Sequence, residues 1–160
     1  MPKYNIVEKI EKEAVYRSRV SPELLDKLKD GVLSQILFKK KYKEKGYTAK
    51  QLAEDLQTNT RYISAVLNLK FGLNYTSFVN KLRIDEALHL LVDCRYSKMN
   101  VEEIGEMVGF ASRQAFYMAF FKFKGITPIE YKAQYFEQHP VEQKKTNKWG
   151  KNKQVGRKQR

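Results

Sequence analysis

Two stretches decide the fold: Asn59-Thr60-Arg61-Tyr62-Ile63-Ser64-Ala65-Val66-Leu67-Asn68-Leu69-Lys70-Phe71-Gly72 and Ser112-Arg113-Gln114-Ala115-Phe116-Tyr117-Met118-Ala119-Phe120-Phe121-Lys122-Phe123-Lys124-Gly125. Each opens with a side chain able to accept hydrogen bonds from the unpaired N–H groups of a helix start, and each closes on glycine. Counting from Asn59 and from Ser112, the landmarks Ile63, Leu67, Gly72, Phe78 and Phe116, Phe120, Gly125, Tyr131 fall at the same offsets of 4, 8, 13 and 19. A short amphipathic segment with a small residue inside precedes each cap: Leu52-Ala53…Leu56 before the first, Ile104-Gly105…Val108 before the second. Each block therefore reads helix, tight turn, helix. Ala53 and Gly105 let the two helices of a block approach, and Gly109 supplies the turn before Phe110.

Between the blocks, Thr76 to Val92 repeats apolar residues at Phe78, Val79, Leu82, Ala87, Leu88 and Leu91, the spacing of one long connecting helix. Upstream, Ser21-Pro22-Glu23 predicts an N-cap, a proline in the first turn and an acid beside it, followed by Leu24, Leu25, Leu28, Val32, Ile36 and Leu37 in a helix reaching about Lys45. Its cationic end, Lys39-Lys40-Lys41-Tyr42-Lys43, suits a helix C-terminus or phosphate contact. The fold class is all-α. The expected organisation is an extension over 1–20, a tandem helix-turn-helix domain over 21–140, and a basic tail over 141–160. Within the domain the first unit spans about 32–75, the linker helix about 76–92 and the second unit about 99–136.

The 160 residues carry a formal charge of +13, unevenly distributed. Residues 1–46 hold 12 positive and 7 negative side chains, residues 47–140 hold 11 and 10, and residues 141–160 hold 8 and 1. Basic ends around a nearly neutral body point to an anionic partner. The tail, with a lone Trp149 and almost no aliphatic side chains, is expected to be disordered in isolation and either to add salt-sensitive affinity for phosphates or merely to solubilise. The one cysteine, Cys94, excludes an internal disulfide, a cysteine zinc cluster and a thiol redox pair. No phosphate-binding Gly-x-x-x-x-Gly-Lys loop and no His-Glu-x-x-His is present, so an enzyme is not expected. His89 and Cys94 read as ordinary packed or surface residues. Neither a signal core nor a membrane-spanning stretch is present, which fits a cytoplasmic protein, nucleoid-associated when bound to its partner.

Taken together, Leu52-Ala53…Leu56, Asn59…Tyr62-Ile63-Ser64, Lys70-Phe71-Gly72, Phe78, Arg83…Ala87…Leu90-Leu91, Ile104, Gly109-Phe110, Phe116, Phe120 and Gly125-Ile126-Thr127-Pro128…Tyr131 resemble the AraC/XylS family of bacterial transcription regulators. The resemblance covers roughly 48–132. It implies two three-helix lobes joined by a rigid helix, homeodomain-like, each presenting a recognition helix (about 60–70 and 113–123) to successive major grooves of double-stranded DNA. A monomer then suffices for an asymmetric site, and a monomer or weak dimer is expected. RNA polymerase is a candidate further partner; no small-molecule ligand, cofactor or metal is implied by the residues, and the usual sensor barrel does not fit in 1–46.

About 100° per residue puts Ile63, Val66, Leu67 and Lys70 on one side of the first recognition helix and Arg61, Ser64, Ala65 and Asn68 on the other. Arg61 suits guanine, Asn68 adenine, and Ser64 a base edge or phosphate. The second helix exposes Arg113, Gln114, Tyr117, Met118 and Phe121. Base contacts are expected from Arg61, Ser64, Asn68, Arg113, Gln114, Tyr117 and Phe121, and phosphate contacts or caps from Asn59, Thr60, Ser112, Lys70 and Lys122. The family commonly has basic residues where Met118 and Phe121 stand; these two either touch thymine methyls or form a protein-contacting or packed aromatic surface. Gln57 stands where the family often has glycine, which costs on the order of 1 kcal/mol if its backbone is left-handed. Arg83, where the family keeps arginine, is expected to buttress one lobe or to contact backbone, the buttress being favoured. The alternative to a sequence-reading regulator is an architectural nucleic-acid binder or a protein-interaction adaptor.

Overall fold

The computed structural model describes residues 20–140. Expectations for the amino-terminal extension through residue 19 and for the 141–160 tail lie outside the described residues. Among those described are seven α-helices and no strand: α1 (Pro22–Leu33), α2 (Ala49–Asp55), α3 (Thr60–Val66), α4 (Tyr75–Val92), α5 (Val101–Met107), α6 (Arg113–Lys124) and α7 (Pro128–Gln138). They divide into two compact units, one of residues 20–39 and 47–78, the other of residues 40–46 and 79–140. None of the described helices is long and apolar enough to cross a membrane.

In the first unit, Ser21 caps α1 by accepting from the Leu24 N–H at 3.2 Å, with Pro22 in the first turn as expected. The helix does not run on to Lys45. After Leu33 it widens into a π-helical turn over Ser34–Phe38, and Lys40 then adopts a left-handed backbone with φ 55°, which no continuing helix allows. Helix α3 packs against both α1 and α2, burying Ile63, Val66 and Leu67. Two helices cover a wider arc of α3 than one would, so Ala65 is buried as well, and its placement on the outward face is corrected. Helix α3 likewise continues as a π-helical turn, Leu67–Phe71, and stops at Gly72, where the Leu73 N–H closes onto the Leu67 carbonyl at 3.3 Å. Tyr75 Oη donates to the Tyr47 carbonyl at 2.8 Å, and the Phe71 and Phe78 rings sit 4.8 Å apart.

The second unit has a core of Ile84, Ala87, Leu91, Ile104, Val108, Phe110, Phe116 and Phe120. Phe116 lies at its centre, with ring centroids 5.2 Å from Phe110 and 5.7 Å from Phe120, and Phe120 in turn meets Tyr131 at 5.7 Å. Burying each such ring stabilises the unit by about 1.5–3 kcal/mol before packing geometry is considered. Gly105 is required by close approach, because a Cβ there would lie 2.6 Å from the Phe116 ring. Gly109 is required twice over: its φ is 106°, and a Cβ would lie 2.6 Å from the Lys43 carbonyl oxygen.

Residues 40–46 are tied into this unit by Arg83 of α4. Its Nε donates to the Tyr42 carbonyl and its Nη2 to the Glu44 carbonyl at 3.3 Å, while the guanidinium lies over the Phe110 ring, 5.4 Å from its centroid. The buttressing role is thereby located. Glu86, one turn along α4, accepts from Tyr42 Oη at 2.8 Å and pairs with Lys43 Nζ. Burial and the Glu86 carboxylate together push the Tyr42 phenol above its ordinary value.

Candidate nucleic-acid interface

Helices α3 and α6 are each set by a cap and by the turn before it. Asn59 Oδ1 accepts from the Arg61 and Tyr62 N–H groups at 3.0 and 3.1 Å, and Ser112 Oγ from the Ala115 N–H at 3.2 Å. Capping boxes fix the helix that precedes each: Thr48 with Gln51 on α2 and Asn100 with Glu103 on α5. In the first turn Gln57 has φ 50°, a left-handed backbone, and the Thr58 N–H returns to the Ala53 carbonyl at 2.8 Å. In the second, Gly109 takes the matching position and the Phe110 N–H returns to Gly105 at 3.0 Å. The second turn holds one residue more, Ala111, before its cap.

On α3 Thr60, Arg61 and Ser64 are exposed on one side of the packed residues. Asn68 is half-buried, and its amide Nδ2 donates to the Ser64 carbonyl at 2.8 Å, so it must turn outward to meet a base edge. Lys70 is exposed rather than packed with Ile63, and its ammonium lies 2.7 Å from the Asp26 carboxylate on α1. That pairing, through hydrogen bond and charge, holds Asp26 below its ordinary carboxylate value. Leu69, which the helical wheel did not single out, is also exposed.

On α6 Arg113, Gln114, Met118, Phe121 and Lys122 are exposed and Tyr117 is half-buried. Met118 and Phe121 retain 67% and 57% of their accessible surface, large values for side chains of their type in a unit with a formed core. Arg113 and Tyr117 converge on one carboxylate: Glu102 Oε1 lies 3.0 Å from Arg113 Nε and accepts from Tyr117 Oη at 3.2 Å. The Arg113 guanidinium also lies 4.9 Å from the Tyr117 ring centroid. Glu102 is the residue that sequence reasoning missed; it sits two residues past the Asn100 cap, where an acid reads simply as favourable at a helix start. Among the described residues no group of three or more potential ligands could hold a metal ion.

Residues 52–134, which hold both capped turns and both exposed helices, match the family model for a helix-turn-helix domain. The chain belongs to the AraC-type helix-turn-helix family. Within it the chain is 35% identical over 91 residues to the HTH-type transcriptional regulator YisR of Bacillus subtilis, a match covering 57% of this chain and 30% of YisR. It is 28% identical over 123 residues to the response regulatory protein SERP2406 of Staphylococcus epidermidis, covering 76% and 47%. Among solved structures, the C-terminal domain of the two-component response regulator yesN from Fusobacterium nucleatum is similar with a TM-score of 0.55 at 28% identity, over 62% of this chain and 94% of that one. The chain spans from 11% to 47% of the length of the relatives it matches.

Proposed function

We propose that this helix-turn-helix protein is a DNA-binding transcription regulator that reads two adjacent major-groove segments of double-stranded DNA, one with α3 and one with α6. The observation that supports this most is the repetition: the same capped helix occurs twice, each time with its apolar face buried and its other face carrying side chains suited to base edges. On the first head Arg61 pairs with guanine, Ser64 meets a base edge or phosphate, and Asn68 pairs with adenine after leaving the Ser64 carbonyl. On the second, Gln114 reads a base edge, and Arg113 does so after exchanging Glu102 for DNA. Thr60, Lys122 and, once released from Asp26, Lys70 meet phosphates; Asn59 and Ser112 hold the helix starts. Regulators named in the family support transcription as the process served.

Selection of binding sites from fragmented DNA by the full-length protein at about 150 mM salt tests this reading. The expected outcome is a bipartite motif with centres about 10 base pairs apart. Salt-sensitive binding with no motif would overturn it in favour of an architectural role.

A further inference from the structure

Helix α6 carries three cations, Arg113, Lys122 and Lys124, and no carboxylate, yet the centre of its exposed face is apolar. Met118 follows Gln114 by four residues and Phe121 follows Met118 by three, so the three stand in one row along the helix. A row of this kind, bounded by cations, is complementary to a polyanion that also offers apolar contact. The base edges in a major groove are hydrogen-bond donors and acceptors, and an apolar side chain set against them strips their water without replacing it. The thymine C5-methyl is the apolar feature of that groove.

We propose that Met118 and Phe121 make the second head a thymine reader, seating on C5-methyl groups while Gln114 reads a neighbouring base edge. This rests on the reading of α6 as a recognition helix and assigns the chemistry it recognises. The two heads then differ in kind: α3 discriminates by hydrogen bonds from Arg61, Ser64 and Asn68, whereas α6 discriminates largely by methyl contact. Conversion of thymine to uracil, which changes no hydrogen-bonding group, weakens the second half-site.

The test is equilibrium binding of the full-length protein to duplexes carrying the selected site, with thymines of the second half-site replaced one at a time by deoxyuridine. The expected loss is about four-fold for each contacted methyl, the equivalent of about 0.8 kcal/mol. In Phe121→Ala and Met118→Ala, each exposed enough to leave the core untouched, the wild-type preference for thymine over uracil falls toward one at the position that side chain contacts. Equal affinity for thymine and uracil duplexes overturns the proposal, as does a selected second half-site without thymine; in both cases the two-headed reading stands. Variants that bind more weakly yet keep the full thymine preference also overturn it and assign the surface to another contact. A selection that returns no second half-site overturns both readings together.

Discussion

Arg113 and Tyr117, one turn apart on α6, share a single oxygen of Glu102: the guanidinium Nε lies 3.0 Å from Oε1 and the phenol donates to it at 3.2 Å. A carboxylate on the first helix of the block thus holds two side chains of α6 along the protein surface. On the proposed reading, Arg113 exchanges this partner for a base edge when DNA binds. Such an exchange is inexpensive because the pair is exposed, and exposed pairs contribute only about 0–1 kcal/mol.

Replacing Glu102 with Gln removes the competing charge and leaves an acceptor for Tyr117. The expected result is several-fold tighter binding to the selected site, measured by equilibrium titration at fixed salt. An unchanged affinity would assign Arg113 a structural role alone.

On the proposed reading, Arg61 serves recognition and Asn59 folding of the same helix. Arg61→Ala is expected to weaken the selected site by about 1–3 kcal/mol and relax preference at one base position. Asn59→Ala removes the acceptor for two backbone N–H groups and lowers stability by about 1 kcal/mol, seen in chemical denaturation.

Arg83→Ala strands the Tyr42 and Glu44 carbonyls and the Phe110 face. A loss of about 1–3 kcal/mol is expected, with increased hydrogen exchange at residues 41–44. Arg83→Lys, lacking the planar fork, restores only part of it.

The two turns respond oppositely to substitution. Gln57→Gly relieves a left-handed glutamine and is expected to stabilise by up to about 1 kcal/mol. Gly109→Ala meets both a positive φ and the Lys43 carbonyl, and a loss of at least about 2 kcal/mol is expected.

Glu130 closes a capping box at the start of α7, accepting from the Thr127 N–H at 2.7 Å, and the bonds to Thr127 hold its carboxyl below the ordinary range. A folded value below the unfolded one means that this contribution is complete above the unfolded value and is lost as the pH falls through the folded value. The thermal midpoint is therefore expected to drop below about pH 4.5, with Glu130→Gln giving a shallower acid limb.

What the sequence determined by itself was local in origin. The caps at Ser21, Asn59 and Ser112 act on N–H groups two or three residues away, the left-handed backbone at Gln57 and Gly109 is set by the turn, and the periodic apolar rows select the buried face of each helix. An all-α chain with two capped helix-turn-helix blocks follows from these alone. Tertiary structure decided what depends on groups far apart in the chain. Residues 40–46 belong to the second unit, where Arg83 and Glu86 hold Tyr42 and Lys43 across about forty residues of sequence. Ala65 is buried because a second helix reaches over α3, and Lys70 and Arg113 carry ion pairs because Asp26 and Glu102 come from neighbouring helices. Helical periodicity ranks the faces of one helix. The width of the covered arc, and the charge a long side chain finds at its tip, are set by neighbours that periodicity does not contain.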